Sequence, residues 1–598
     1  MTKVVHPKNI VLCSDGTGNS GGYGADSNVY KTYKAVDVNT LGQYTFYGQG
    51  IGTEKSVNSK NKYWTAVSGA FGFGFRDNVL NLYHFLARTY VPGDAIFLFG
   101  FSRGAATVRA LTGFINACGL LDTKHKSVQT DDNFDPELFQ KKVEEAFDLY
   151  RKRDENEPER LIFKKEYAVH HNDHAPDGNL KIKFIGVWDT VSALGFPRNF
   201  SKYSKWFFDL VECLIELVPC WAYKFYDYKL NNSIENAYHA LSIDDERKSF
   251  LPMVWNEYQK VCPYNKPDNK PEKKHFDGHV EQVWFAGVHS NVGGGYPRTG
   301  LSDVALQWML TKATAHGLVF HPDHITAIQN SANIYDKLYD SRDGIGIYYR
   351  YGPRDLTALC DGQLKGKIAI HISAYKKIKE KSDTYAPDGI PGEFDVVEYD
   401  PADKAFSIVE CQVSVANLPD PAKKEWAEQE TKMKEIIKKR KMLYCTVVLL
   451  TVVILLVSGY FWGHPPESVT ELNACEVKHI QIVQSPANEK ASDIKTLAAN
   501  PFYVYEQNAS LTSNSNATPD FCKKANNRSL KGFADILRYL TPVYFENFIT
   551  LVVEAYWWIF FGIMIPILVV LFNWRKKLIN DLDKVCRKMC DLLPDRQD

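Results

Sequence analysis

Cysteine is scarce in this chain, and so is any excess of charge. Twelve cysteines in 598 residues, with no CxxC pair and no regular Cys/His spacing, exclude a disulfide scaffold and carry no zinc signature, so no metal is expected. Lys+Arg and Asp+Glu balance at 71 each, which removes the electrostatic reason for binding nucleic acid, and no nucleic-acid partner is expected. The N-terminus lacks the basic, apolar and small-residue order of a secretory signal. MTKVVHPKNIVLCSDG instead reads as a short first strand ending at an Asp-Gly turn. Apolar residues at 45% and charged residues at 24% sit near globular averages, which excludes wholesale disorder.

Long apolar runs occur only towards the C-terminus. Met442 to Gly463 carries no charge, and neither does Ala555 to Trp574; each is long enough to cross a hydrocarbon layer of ~30 Å. Lys438, Lys439, Arg440 and Lys441 precede the first run, and Arg575, Lys576 and Lys577 follow the second. The positive-inside rule therefore places both ends on the cytoplasmic side of an inner or plasma membrane. Tyr460, Phe461 and Trp462, with Tyr556, Trp557 and Trp558, form the outer aromatic belt of such a hairpin. The expected organisation is a catalytic domain over 1–415, a charged helical connector over 416–441, and spans over 442–463 and 548–574. An external loop over 464–547 separates the spans, and a basic, amphipathic tail over 575–598 ends the chain.

Within residues 1–415 the short runs NIVLCS, AIFLFGF, KIKFIGVWD and QVWFAGV are bounded by Gly, Asp and Asn and separated by helical patterns. This predicts an α/β fold with a mainly parallel sheet. One of these runs leads into Gly100-Phe101-Ser102-Arg103-Gly104, which then opens a helix pattern. That is the context of a nucleophile elbow: small residues permit a strained turn that exposes a hydroxyl. The helix start offers N–H groups and a positive dipole end to a developing oxyanion, with the Arg103 N–H as one donor. The loop Asp15-Gly16-Thr17-Gly18-Asn19, at the same end of the sheet, offers Gly16 and Thr17 as a second donor site; a plain βα turn with Asn19 or Ser20 as helix cap is the rival reading.

A serine hydroxyl needs a histidine to take its proton and a carboxylate to orient that histidine. KIKFIGVWDTVSALG ends a buried strand at Asp189, and QVWFAGVHSNVGGGYP ends another at His289; catalytic groups of such sheets sit at these carboxyl ends. The order Ser102, Asp189, His289 is that of α/β hydrolases. Among rivals, His239 lies in what reads as an amphipathic helical pattern and is expected to be structural or substrate-adjacent. Asp303 reads as an N-cap or first-turn acid, His170, His171 and His174 as loop residues, and His371 as a strand or surface histidine.

SDGTGNS, FGFSRGA, GVWDTVSALG, AYHALSIDDERKSFLPMVW, GVHSNVGGGYP, IHISAYKKI and YAPDGIPGEF occur in this order over roughly residues 8–395. Together they resemble the type VI secretion phospholipase effector family of α/β hydrolases, from which Gly18 and Asn291 depart where an aromatic and an aspartate are expected. The resemblance implies a serine lipase with no cofactor, a phospholipase A-type enzyme acting on membrane phospholipid through Ser102, Asp189 and His289. It also implies an antibacterial effector with an immunity or secretion partner. A hydrolase of soluble esters or thioesters, or a catalytically silent membrane scaffold, are the alternative readings.

Two further expectations concern segments outside this core. Cys475 and Cys522, the two cysteines of the external loop, are expected to pair in an oxidising compartment. KYSKWFFDLVECLIELVPCWAYKFYDYKL looks like an insertion relative to the family. Its helical pattern over 204–227, with Trp206, Phe207 and Phe208, reads either as a lid or interfacial helix or as an ordinary buried helix.

Overall fold

The computed structural model describes residues 7–463 and 565–594, apart from segments 51–73, 170–179, 192–226, 262–271 and 399–410 and a few stretches of one to four residues. The chain forms two compact units, Met1–Lys441 with Asn580–Asp598, and Met442–Ile579. The connector and most of the tail therefore belong to the unit that carries the sheet.

Among the described residues that sheet has nine strands: β1 (Asn9–Ser14), β2 (Gln43–Gly48), β3 (Ala95–Phe101), β4 (Phe184–Trp188), β5 (Asn236–Ser242), β6 (His279–Phe285), β7 (Ala369–His371), β8 (Glu393–Val397) and β9 (Cys411–Ser414). Their order is β9-β8-β7-β6-β5-β4-β3-β1-β2, with every pair parallel except the antiparallel β8–β9 edge. The order reverses at β1, which lies between β2 and β3. The crevice beyond the carboxyl ends of β1 and β3 is thus the topological switch point where such folds place their sites.

Strand alternation divides the core. Ile10, Leu12, Ile96, Leu98, Ile185 and Val187 face one layer, built on helices α2 (Phe75–Thr89), α3 (Arg103–Cys118) and α4 (Pro136–Arg151). Val11, Cys13, Phe97, Phe99, Phe184 and Trp188 face the other, built on α1 (Asn28–Ala35) and α5 (Gly300–Ala315). Both faces are covered, so the central strands read as continuous apolar runs rather than alternating ones. Each fully buried Leu, Ile, Val or Phe contributes about 1.5–3 kcal/mol. This burial also corrects the reading of His239: AYHALS is a central strand, β5, and not a helix.

A third cluster joins Trp284, Ile370 and Phe394 to α6 (Ile372–Lys379) and to Trp426 on α7 (Asp420–Gly463). Met589 and Cys590 on α8 (Ile565–Leu592), with Leu593, complete it. Tyr375 Oη donates to Pro594 O at 2.6 Å, and Lys379 Nζ to Leu593 O at 2.7 Å.

In the second unit, Met442 and Leu449 on α7 and Val569, Val570 and Phe572 on α8 are exposed. Among the described residues no helix is long and apolar enough to cross a membrane. The expected first span falls within α7, whose side chains are described only to residue 450. Most of the expected second span, the external loop with Cys475 and Cys522, and Trp206, Phe207 and Phe208 of the 204–227 segment lie outside the described residues.

Candidate active site

Ser102 stands between β3 and α3 with φ 56° and ψ −123°, a conformation that L-residues rarely adopt. Among the described residues only Ser102, Asp131 and Asp189 have positive φ without being glycine, and two of these three meet at this site. The elbow works because its glycines let backbones touch. A Cβ on Gly104 would lie 2.1 Å from Ser14 O, and one on Gly100 would lie 2.6 Å from Ala105 Cα. Side chains there would push the elbow off the end of β1.

The three side chains singled out from the sequence come together. His289, in the one-turn helix His289–Gly293 after β6, places Nε2 2.8 Å from Ser102 Oγ and Nδ1 2.5 Å from Asp189 Oδ2. All three residues are buried. Burial alone would raise the Asp189 carboxyl, but the charge of Arg354 and hydrogen bonds from Arg354 and His289 outweigh it and hold that carboxyl well below the usual range. An ionised carboxylate only accepts, so the Nδ1 of His289 carries the proton and Nε2 presents a lone pair to the Ser102 hydroxyl. Burial lowers the proton affinity of His289 and outweighs the attraction of Asp189, so the imidazole is neutral near pH 7.

The loop after β1 borders Ser102: a Cβ on Gly16 would sit 3.2 Å from Ser102 Cβ. Asp15 organises this loop, accepting from Gly16 N–H at 2.7 Å, Ser27 Oγ at 2.6 Å and Tyr47 Oη at 2.7 Å. Burial raises its carboxyl even so. Among the described residues the Thr17 hydroxyl is buried with no hydrogen-bond partner. The helix cap here is Ser27, whose side chain accepts from Tyr30 N–H, and not Asn19 or Ser20. The Arg103 guanidinium is largely buried, and that burial brings it down to about 10.

The rivals fall elsewhere. His239 Nε2 accepts from Thr190 N–H at 3.1 Å, and burial, with Arg109 next, pushes the ring down to about 3. It supports the turn after β4 as a neutral group. Asp303 lies in the first turn of α5 and pairs with Lys31 at 2.5 Å. His371 closes β7 and caps α6 by accepting from Ser373 N–H. His170, His171 and His174 lie outside the described residues. Among the described residues no group of three His, Cys, Asp or Glu side chains is placed to hold a metal.

Residues 8–312, about half of the chain, match the model of the T6SS phospholipase effector Tle1-like catalytic domain. The chain belongs to this family. The Tle1-like match ends before IHISAYKKI and YAPDGIPGEF, which lie beyond residue 312. The uncharacterized protein YEL023C of Saccharomyces cerevisiae is 26% identical over 259 residues, which cover 42% of this chain and 33% of that protein. An uncharacterized protein of Pseudomonas aeruginosa, known from a crystal structure, is 15% identical at a TM-score of 0.33, over 73% of this chain and 59% of that one. The chain thus matches a third and about three-fifths of the lengths of these two proteins.

Several residues of this Tle1-like chain's site had no sequence signal of their own. Arg354 is buried against Asp189, with Nη1 2.7 Å from Oδ1 and Nη2 2.8 Å from Oδ2. Asp245 accepts from His289 N–H at 3.1 Å and pairs with Arg247 at 2.7 Å. Asp244 accepts from Gly287 N–H at 2.6 Å and Tyr385 Oη at 2.8 Å, and burial pushes it up to about 6. Phe101 and Phe250 wall the imidazole, with ring centroids at 4.6 and 5.0 Å. No local pattern in the run SIDDER assigned its acids to partners. Asn291 stands without charge near His289, its Oδ1 accepting from Val288 N–H at 3.3 Å.

Proposed function

We propose that this chain is a membrane-associated serine hydrolase that cleaves acyl esters of phospholipids through an acyl-enzyme. The hydrogen-bonded series Ser102, His289, Asp189 at 2.8 and 2.5 Å is the observation that carries the reading, and membership of a phospholipase effector family supports the lipid substrate. In this mechanism the Ser102 oxygen attacks the acyl carbonyl carbon while His289 Nε2 takes the serine proton, and Asp189 stabilises the imidazolium. The oxyanion lies between the Arg103 N–H and the Gly16–Thr17 loop, where the buried Thr17 hydroxyl is available. Collapse expels the lysolipid alcohol, which leaves with the proton from His289. A water, deprotonated by the same nitrogen, then frees the fatty acid and restores Ser102.

In the same reading the apolar runs at 442–463 and 548–574 anchor the enzyme in an inner or plasma membrane. The exposed apolar side chains of Met442, Leu449, Val570 and Phe572 support this. An effector of this type would be held in check by an immunity partner.

The test is a fluorophosphonate probe on the purified chain, together with mass spectrometry of liposomes treated with wild-type and Ser102→Ala protein. Labelling and release of fatty acid and lysolipid are expected from the wild type alone. Labelling that persists in Ser102→Ala sinks the nucleophile, and intact lipids with wild-type protein sink the substrate class.

A further inference from the structure

We infer that Arg354 is a positioning residue for the triad: its guanidinium fork fixes the carboxylate of Asp189 towards His289, and its charge leaves His289 facing a neutralised acid. This rests on the hydrolase reading above. In the triad as usually drawn, the acid faces its histidine with its charge unopposed by any fixed cation. Here both carboxylate oxygens meet both terminal nitrogens of one arginine, at 2.7 and 2.8 Å, the two-pronged geometry that sets a carboxylate's plane. Oδ2 also accepts from His289 Nδ1 at 2.5 Å, and Oδ1 from Ser242 N–H at 3.0 Å. The acid thus has no freedom to rotate away from the base.

Arg354 is held as firmly as the group it holds. It is 1% exposed, and Nη1 donates to Ser242 Oγ at 2.6 Å and to Ser242 O. Nη2 donates to Phe250 O at 2.6 Å, so the same guanidinium grips the residue whose ring walls His289. Among the described residues its Nε is buried without a partner, which carries a desolvation cost. Asp189 in turn sits at φ 40°, a conformation that persists only where surrounding contacts over-determine it.

The charge arrangement around the base is symmetrical in kind. His289 faces Asp189, paired with Arg354, through its ring, and Asp245, paired with Arg247, through its backbone N–H. Two acids and two arginines cancel. Removing Arg354 would leave Asp189 unopposed and strengthen its hold on the imidazolium. His289 would then protonate at higher pH, and the acid limb of the rate profile would move up. Lysine at 354 keeps the charge and loses the fork, since an ammonium is a point donor.

The experiment measures kcat, KM and the pH profile of 4-nitrophenyl butyrate hydrolysis for wild type, R354K and R354Q, with active sites titrated by fluorophosphonate. For R354K the inference expects kcat to fall roughly tenfold or more at near-normal KM, with the acid limb unmoved. For R354Q it expects a larger fall in kcat and an acid limb raised by about one pH unit, the lower end of what a neighbouring charge does. Wild-type kcat per titrated site in R354K, or an unmoved limb in a folded R354Q, overturns it. Failure of both variants to fold also overturns it, in favour of a purely structural arginine. If the wild type is not labelled at Ser102, the hydrolase reading has failed instead, and the two failures are distinguished by that first lane.

Discussion

Glu246 and Arg440 are 194 residues apart in sequence and meet as a two-pronged ion pair, Nη1 to Oε1 at 2.5 Å and Nη2 to Oε2 at 2.8 Å. Arg440 is 6% exposed and lies over the Tyr351 ring at 4.3 Å. The pair joins the acidic loop that holds His289 to the end of the connector on α7, two residues before the apolar run starting at Met442. Replacing one partner strands the other's charge, so Arg440→Met should cost about 3 kcal/mol, the lower end for a buried pair because Glu246 keeps some solvent contact. Urea unfolding of Arg440→Met beside the Glu246→Met/Arg440→Met double variant checks this: the double should recover much of the loss. Additive losses would show that the two charges do not depend on each other.

The proposed triad roles predict unequal consequences for the two buried histidines. Asp189→Asn and His289→Ala should each lower turnover by roughly a thousandfold or more while leaving a cooperative melt. His239→Gln retains an acceptor for Thr190 N–H and should keep turnover within about tenfold, because its ring meets neither Ser102 nor the carboxylate of Asp189 directly. Steady-state kinetics on a soluble ester decides, and a His239→Gln protein as dead as His289→Ala would move the base role.

The pH profile follows from the lowered proton affinity of His289. In the proposed mechanism His289 must be neutral to accept the serine proton, so activity is lost as pH falls through its pKa and is full above it. Because that pKa is lowered from the ordinary 6.5, the acid midpoint of kcat/KM should lie below 6.5. A midpoint above 6.5 would show that Asp189 outweighs burial and that the sign is reversed.

Gly104 offers a test of the elbow itself. A methyl there would meet Ser14 O at 2.1 Å and Asp15 O at 2.4 Å, both rigid backbone atoms at the end of β1. Gly104→Ala should therefore destabilise by about 3 kcal/mol, the upper end for overpacking, and displace the Gly16–Thr17 loop from Ser102. Thermal melts and ester kinetics read the two effects separately, and an unchanged melting temperature would mean that the two backbones are not in contact.

The parallel sheet, the elbow and the ordered trio Ser102, Asp189, His289 were legible in the chain because each depends on a local pattern. An apolar run long enough for one buried strand, closed by a residue that breaks it, marks a carboxyl end wherever it occurs. β3, β4 and β6 all end this way. β5 shows the limit of such reading: AYHALS followed by IDDER imitates a helical period, and only its burial on both faces between β4 and β6 distinguishes the strand. What tertiary structure alone decided is the pairing of charges. Arg354, in YGPRDL, ends no strand and matches no spacing, yet β5 and the loop after it place it against an acid 165 residues earlier. Asp244, Asp245 and Glu246 are neighbours in sequence whose carboxylates reach three different partners, Tyr385, Arg247 and Arg440. Backbone periodicity follows from which residues avoid water, and the sequence states that directly. Which cation meets which carboxylate depends on how distant segments are brought together when the layers close, and no local pattern encodes that.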